Sequence, residues 1–319
     1  MDGAESRMFT EGQLAYGMQL PIQSQSSLYA EAWEADATPD DLAAIARTAD
    51  RTGFAYLASC EHIGIPRHLA EAMSTTWYDP VATLSYLAGI TEHVHLMSHV
   101  AIVGLRHPLL SAKQYATLDH LSGGRLILGV GAGHVREEFE ALGVDFARRG
   151  PILDETVDAL KKALGPDEYP EHHGDHFHFE GLGQLPRPAQ PHVPIWVGGS
   201  SPAAVRRAAT RADGWLPQGD PRAKLPAQIA RLKRLREQAG IEEPITVGAI
   251  TEALYIGDPA WQVGRRTLAG KPEAIAESLR EYGAMGVAQI QVRFRSRGRA
   301  ELTDQMAAFA ADVAPHLND

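Results

Sequence analysis

Eight short apolar runs, each followed by a stretch with helical spacing, fill this chain of 319 residues. The runs lie at 14–20, 54–59, 94–103, 126–130, 195–197, 214–216, 245–251 and 288–294. Helical spacing of apolar residues covers 39–52, 80–91, 109–121, 135–142 with 152–164, 202–211, 222–239, 272–282 and 301–314. Strands that alternate singly with helices are parallel, because each crossover returns the chain to the same end of the sheet. Runs without polar alternation are buried on both faces. Eight such units in one chain favour a closed (β/α)8 TIM barrel over a doubly wound open sheet. The barrel also predicts where chemistry sits, because the carboxyl ends of all its strands open onto one mouth. Helix starts support the boundaries. Thr38-Pro39-Asp40-Asp41 offers an N-cap, a proline in the first turn and acidic residues at the positive end of the helix dipole. Ser201-Pro202 and Lys271-Pro272-Glu273 repeat that pattern.

One stretch breaks the alternation. Residues 165–191 hold five prolines, four glycines and four histidines, with no helical period. They read as an insertion before strand five of a single domain spanning 1–319, with a small hairpin around 176–180. His172, His173, His176 and His178 invite a metal reading. Yet no helical pair of ligands fixes a geometry, and a loop without period is a poor preorganised ligand set, so the expectation is no metal.

Formal net charge is −10, which argues against a nucleic-acid or membrane-surface partner, since either needs a basic face. Cys60 is the only cysteine, excluding an intrachain disulfide, a cysteine-based zinc site and an iron–sulfur cluster. That fits a reducing cytoplasm. No apolar run approaches the roughly 20 residues of a membrane span. Residues 1–11 are polar and carry no export-signal pattern, so the expected location is cytoplasmic.

Three places at predicted strand ends can carry chemistry. After strand four, Gly131-Ala132-Gly133 has no side chain larger than a methyl, so a planar or anionic ligand can approach the backbone; His134 follows. After strand five, Val197-Gly198-Gly199-Ser200-Ser201 leads into the helix from Pro202, and free N–H groups at a helix N-terminus attract anions. Just beyond strand two, Glu61-His62 is an acid–histidine pair, able to orient and titrate an imidazole near neutral pH.

Three segments resemble a known family: LRHPLLSAKQYATLDHLSGGRLILGVGAGHVREEFEALG at 105–143, ILDETVDALKKAL at 152–164 and PHVPIWVGGSSPAAVRRAATRADGWLP at 191–217. They resemble the luciferase-like monooxygenase superfamily of flavin- and deazaflavin-dependent barrels, closest to its coenzyme F420-dependent oxidoreductases. The resemblance implies a homodimeric barrel that holds an isoalloxazine-type ring at the carboxyl mouth and acts on a small molecule. It implies that Glu61 and His62 meet the deazaflavin and that His62 assists hydride transfer. It implies a bulge with a non-prolyl cis peptide at Ser98–His99 or His99–Val100, pressed against the ring, and a phosphate or ribityl contact from residues 197–200. Arg206, Arg207 and Arg211 could attract an acidic cofactor tail or simply form a solvated basic face. In a sugar-phosphate-dependent F420 dehydrogenase of the family a glutamate stands where this chain has His134, and a tryptophan where it has Ile65 and Pro66. Both departures count against glucose 6-phosphate as substrate, while His134 remains a candidate acid–base residue. FMN-dependent relatives place an arginine for the FMN phosphate where this chain has Ala132. The expected cofactor is therefore F420, with an FMN-dependent monooxygenase using reduced flavin and O₂ as the alternative.

Overall fold

The computed structural model describes residues 13–27, 30–219 and 221–319; the polar segment 1–11 lies outside the described residues. Eight parallel strands close a barrel: β1 Ala15–Gln19, β2 Tyr56–Ser59, β3 His95–Ser98, β4 Leu126–Val130, β5 Ile195–Gly198, β6 Gly214–Leu216, β7 Thr246–Ile250 and β8 Gln289–Val292. Each pairs with the next in sequence, and β8 returns to β1 through Ala15 opposite Gln289. The helices Pro39–Arg51, Pro80–Ala88, Pro108–Ser122, Arg149–Ala163, Pro202–Arg211, Leu225–Gln238, Pro272–Ala284 and Arg299–Ala308 form the outer layer. The expected (β/α)8 barrel is thus the observed architecture. Among the described residues no helix is long and apolar enough to cross a membrane.

Two apolar layers hold the barrel. The larger lies between strands and helices; the smaller, of Tyr56, Ala58, Met97, Ile127, Trp196 and Leu216, lies apart from it. The helix starts behave as their residues dictate. Thr38 and Asp41 form a reciprocal capping box, and Ser201 accepts from the N–H of Ala204. Lys271 makes no side-chain cap, so proline at the first turn and Glu273 alone favour that start. At the amino-terminal floor, Gly123 ends its helix in the left-handed conformation. Arg125 then donates to the carbonyls of Ala88, Thr91, Val94 and Ser122, binding two helix ends beneath β4.

Two expectations need correction, and one pair of strands has no counterpart among them. The run 94–103 is a strand only to Ser98; the backbone then leaves the ladder, touches Val130 at Ala101, and turns through a short 3-10 segment, Val103–Leu105. Burial alone makes that run apolar, so composition could not mark the departure. The helix expected to 314 changes after Ala308 to a wider π turn, Phe309–Val313. A parallel pair, Ala253–Ile256 with Thr267–Gly270, stands in the link after β7. The insertion does contain a hairpin, pairing His172–His173 with His178–Phe179.

Candidate active site

The acid–histidine pair at the end of β2 splits. Glu61 is buried and accepts hydrogen bonds from the N–H of Ile102, at 2.5 Å, and from Arg106. It thereby fixes the segment that leaves β3. His62 turns the other way, and its Nδ1 lies 3.0 Å from the Glu138 carboxylate, contributed by the short helix Arg136–Ala141 that follows β4. A carboxylate only accepts, so Nδ1 carries the proton, and Nε2 has no hydrogen-bond partner among the described residues. Glu138 also accepts from the N–H groups of Ile63 and Gly64. Burial opposes its charge, but the His62 bond and these two N–H groups outweigh that and hold its pKa below the ordinary carboxylate range.

Two rings frame His62. Trp77 meets it edge-on with centroids 4.4 Å apart, and His134 does so at 5.3 Å. His134 is exposed on its outer side. Partial enclosure by protein, reinforced by nearby His62, lowers its pKa from the ordinary imidazole value. The structure therefore brings His62 and His134 together and sets Glu61 apart from them. Glu138 escaped the sequence reading because it is 76 residues from His62. Its one sequence signal is an acidic residue in the first turn of a helix that starts just after a strand end.

The bulge after β3 forms the second wall. The cis peptide bond joins His99 to Val100. Ser98 Oγ donates to the Gly129 carbonyl at 2.8 Å. The glycines of the β4 and β5 loops receive Val100: a Cβ on Gly131 would stand 2.4 Å from one Val100 methyl, and one on Gly198 would stand 2.3 Å from the other. Their lack of a side chain serves this packing first. Ala132 and Gly133 remain partly open beside it, and Ala132 carries only a methyl. Ser200 Oγ donates to the Gln218 carbonyl at 2.9 Å, and Trp215 Nε1 donates to that of Gly199, tying the loops after β5 and β6. Val197 is buried at the end of β5. Arg207 and Arg211 are taken up by ion pairs with Asp154 and Asp158, so neither stands as a free cation for an anionic ligand.

His99 is buried, with Nε2 3.2 Å from the Gln218 side-chain nitrogen and no hydrogen-bond partner at Nδ1 among the described residues. Burial pushes its pKa down to about 4. An unfolded imidazole titrates near 6.5, so between pH 6.5 and 4 the unfolded chain takes up a proton that the folded chain refuses. This contribution to stability is complete above pH 6.5 and is lost as the pH falls through that window. Denaturant unfolding is expected to record a loss of about 3 kcal/mol that is missing in His99→Gln. Equal pH slopes in the two proteins would contradict it. Cys60 accepts from the Gln23 side chain at 3.1 Å, and burial pushes its thiol up, so it rests as a neutral packing group.

Known proteins resemble this chain in sequence and in fold. An uncharacterised protein of Mycobacterium tuberculosis (strain ATCC 25618 / H37Rv) is 40% identical over 165 residues, which is 52% of this chain and 56% of that protein. The chain thus spans little more than half the length of that curated relative. The crystal structure of monooxygenase RslO1 from Streptomyces bottropensis superposes with a TM-score of 0.79 at 22% identity, covering 95% of this chain and 99% of the other. An F420-dependent secondary alcohol dehydrogenase, solved with an F420–acetone adduct, gives 0.76 at 16% identity, covering 96% and 100%. At these identities the structures speak for the fold alone. Residues 14–260, from β1 through β7 and so including every side chain that frames His62, match the sequence model described as luciferase-like monooxygenase, and the chain belongs to that family.

Proposed function

We propose that this protein is a coenzyme F420-dependent oxidoreductase that moves a hydride between the deazaflavin and a small organic substrate. The observation that carries the reading is the arrangement of His62: Nδ1 tied to buried Glu138, Nε2 without a partner among the described residues, and His134 and Trp77 against its ring. A bound deazaflavin would supply hydride transfer at its C5. Residues 131–133 and 98–100 would hold the ring, and residues 197–200 its phosphate or ribityl chain. The fit is supported by two features. Ala132 offers a methyl-sized surface, and Gly133 beside it, with no side chain, is also partly open.

In this reading the protein orients the substrate and handles one proton. Glu138 fixes the His62 ring and stabilises it when charged. Nε2 of His62 then gives a proton to the substrate heteroatom or takes one from it, according to the direction of the reaction. His134, its pKa lowered, is neutral near pH 7 and can relay that proton towards solvent. Glu61 acts at one remove, by holding the segment after β3 in place. The absence of an arginine at Ala132 favours F420 over FMN. The family resemblance also supports a homodimer, for which exposed Tyr86, Leu110 and Leu121 offer apolar surface. The test is a side-by-side binding titration with F420 and FMN, in which F420 binds at least about tenfold more tightly.

A further inference from the structure

We infer that the hairpin of the insertion carries a divalent transition-metal site, built from His173, His178 and Glu180, that is separate from the barrel mouth. His173 and His178 are directly opposed across the antiparallel pair. Their Nδ1 atoms are 2.9 Å apart. Glu180 lies two residues beyond His178, on the same face of an extended chain, and one ligand atom from each of the three residues fits within 4.8 Å. Bonds of about 2.0–2.1 Å at a tetrahedral angle set two zinc-bound nitrogens roughly 3.3 Å apart, so the pair needs to open by only a few tenths of an ångström. Two imidazoles and a carboxylate are a ligand set for zinc and its neighbours and leave a coordination position open.

The hairpin has the fixed geometry that its composition hid. Glu155, on the helix Arg149–Ala163, accepts from the N–H groups of His176 and Phe177, and lies 3.3 Å from His172 Nε2. Phe179 turns inward, is buried, and stacks on His172 at 5.7 Å. Alternation along the strands therefore sends His172 and Phe179 towards the protein and His173, His178 and Glu180 outwards. His176 and Phe177 at the hairpin turn also line a cleft of about 330 Å³ with Arg106, His107 and Arg148. A metal on the outer face would brace one wall of that cleft.

The experiment titrates untagged, EDTA-treated full-length protein with Co²⁺ and then displaces it with Zn²⁺. One equivalent should bind at micromolar concentration with visible Co²⁺ absorption, and Zn²⁺ should raise Tm. His173→Ala and His178→Ala should each weaken binding at least tenfold and abolish the rise in Tm, and Glu180→Gln should weaken it less. The three side chains are exposed, so these variants should fold with unchanged Tm in EDTA. Absence of micromolar binding, or wild-type binding in the His173→Ala/His178→Ala double variant, overturns the site.

Discussion

Turnover with F420 should fall at least about 100-fold in His62→Ala, while F420 affinity stays within a few-fold of wild type. A positioned general acid–base group contributes roughly 10²- to 10⁴-fold, and in the proposed function His62 Nε2, unpartnered among the described residues, takes that role. The His62 side chain is only 7% exposed, so alanine also removes packing against Trp77. His62→Asn keeps a donor towards Glu138 but has no titrating nitrogen, and the same loss there separates chemistry from packing. Glu138→Gln should lower kcat at least about tenfold without changing KM for the cofactor, since it removes the charge that steadies the protonated ring and leaves one oxygen to accept from either His62 or the Ile63 and Gly64 N–H groups. Steady-state kinetics with a reduced or oxidised deazaflavin reads all three. Wild-type turnover in His62→Asn would remove His62 from the mechanism.

Gly129→Ala should prevent the barrel from closing at β3 and β4. A Cβ at this position would stand 1.9 Å from the Ser98 carbonyl oxygen, and that atom belongs to backbone rather than to a side chain that can swing away. Ser98 is held from the other side as well, because its hydroxyl donates to the Gly129 carbonyl. Overpacking that only backbone movement can relieve belongs with the largest single-site effects, about 4 kcal/mol or more. The expected outcome is loss of soluble protein, or a fall in Tm of roughly 10 °C by circular dichroism. Gly283→Ala is the control. It sits in the helix Pro272–Ala284 with nothing within 4 Å of the added carbon, and should be neutral or stabilising by up to about 1 kcal/mol. Equal Tm values for the two variants would contradict the packing described here.

The barrel was legible because its signals are local. Leu126–Val130 and Gly214–Leu216 are strands over the whole of the expected runs, bounded by glycine and by the caps of neighbouring helices. The site was legible only in part, because its partnerships are long-range. Glu61 and His62 are adjacent in sequence, but successive residues in extended chain point to opposite sides, so adjacency said nothing of contact. Each found its partner elsewhere, Arg106 for Glu61 and Glu138 for His62. The resemblance located the bulge, and the structure puts the cis bond at the second of the two expected positions. Arg207 and Arg211 carried an overlooked clue. They are four residues apart, as are Asp154 and Asp158, so two helices packed side by side pair them in register. The histidines of the insertion were set aside for want of a periodic element, whereas the element that orders them is a hairpin anchored by Glu155 from outside the segment.

The proposed function requires a barrel mouth built for a deazaflavin. It is tested most directly by equilibrium binding of apo-protein to F420 and to FMN, followed by fluorescence quenching in the same buffer. Micromolar binding of F420, with FMN at least about tenfold weaker, is the predicted result. Tighter binding of FMN would contradict it and make the protein an oxygen-using flavin monooxygenase on the same barrel.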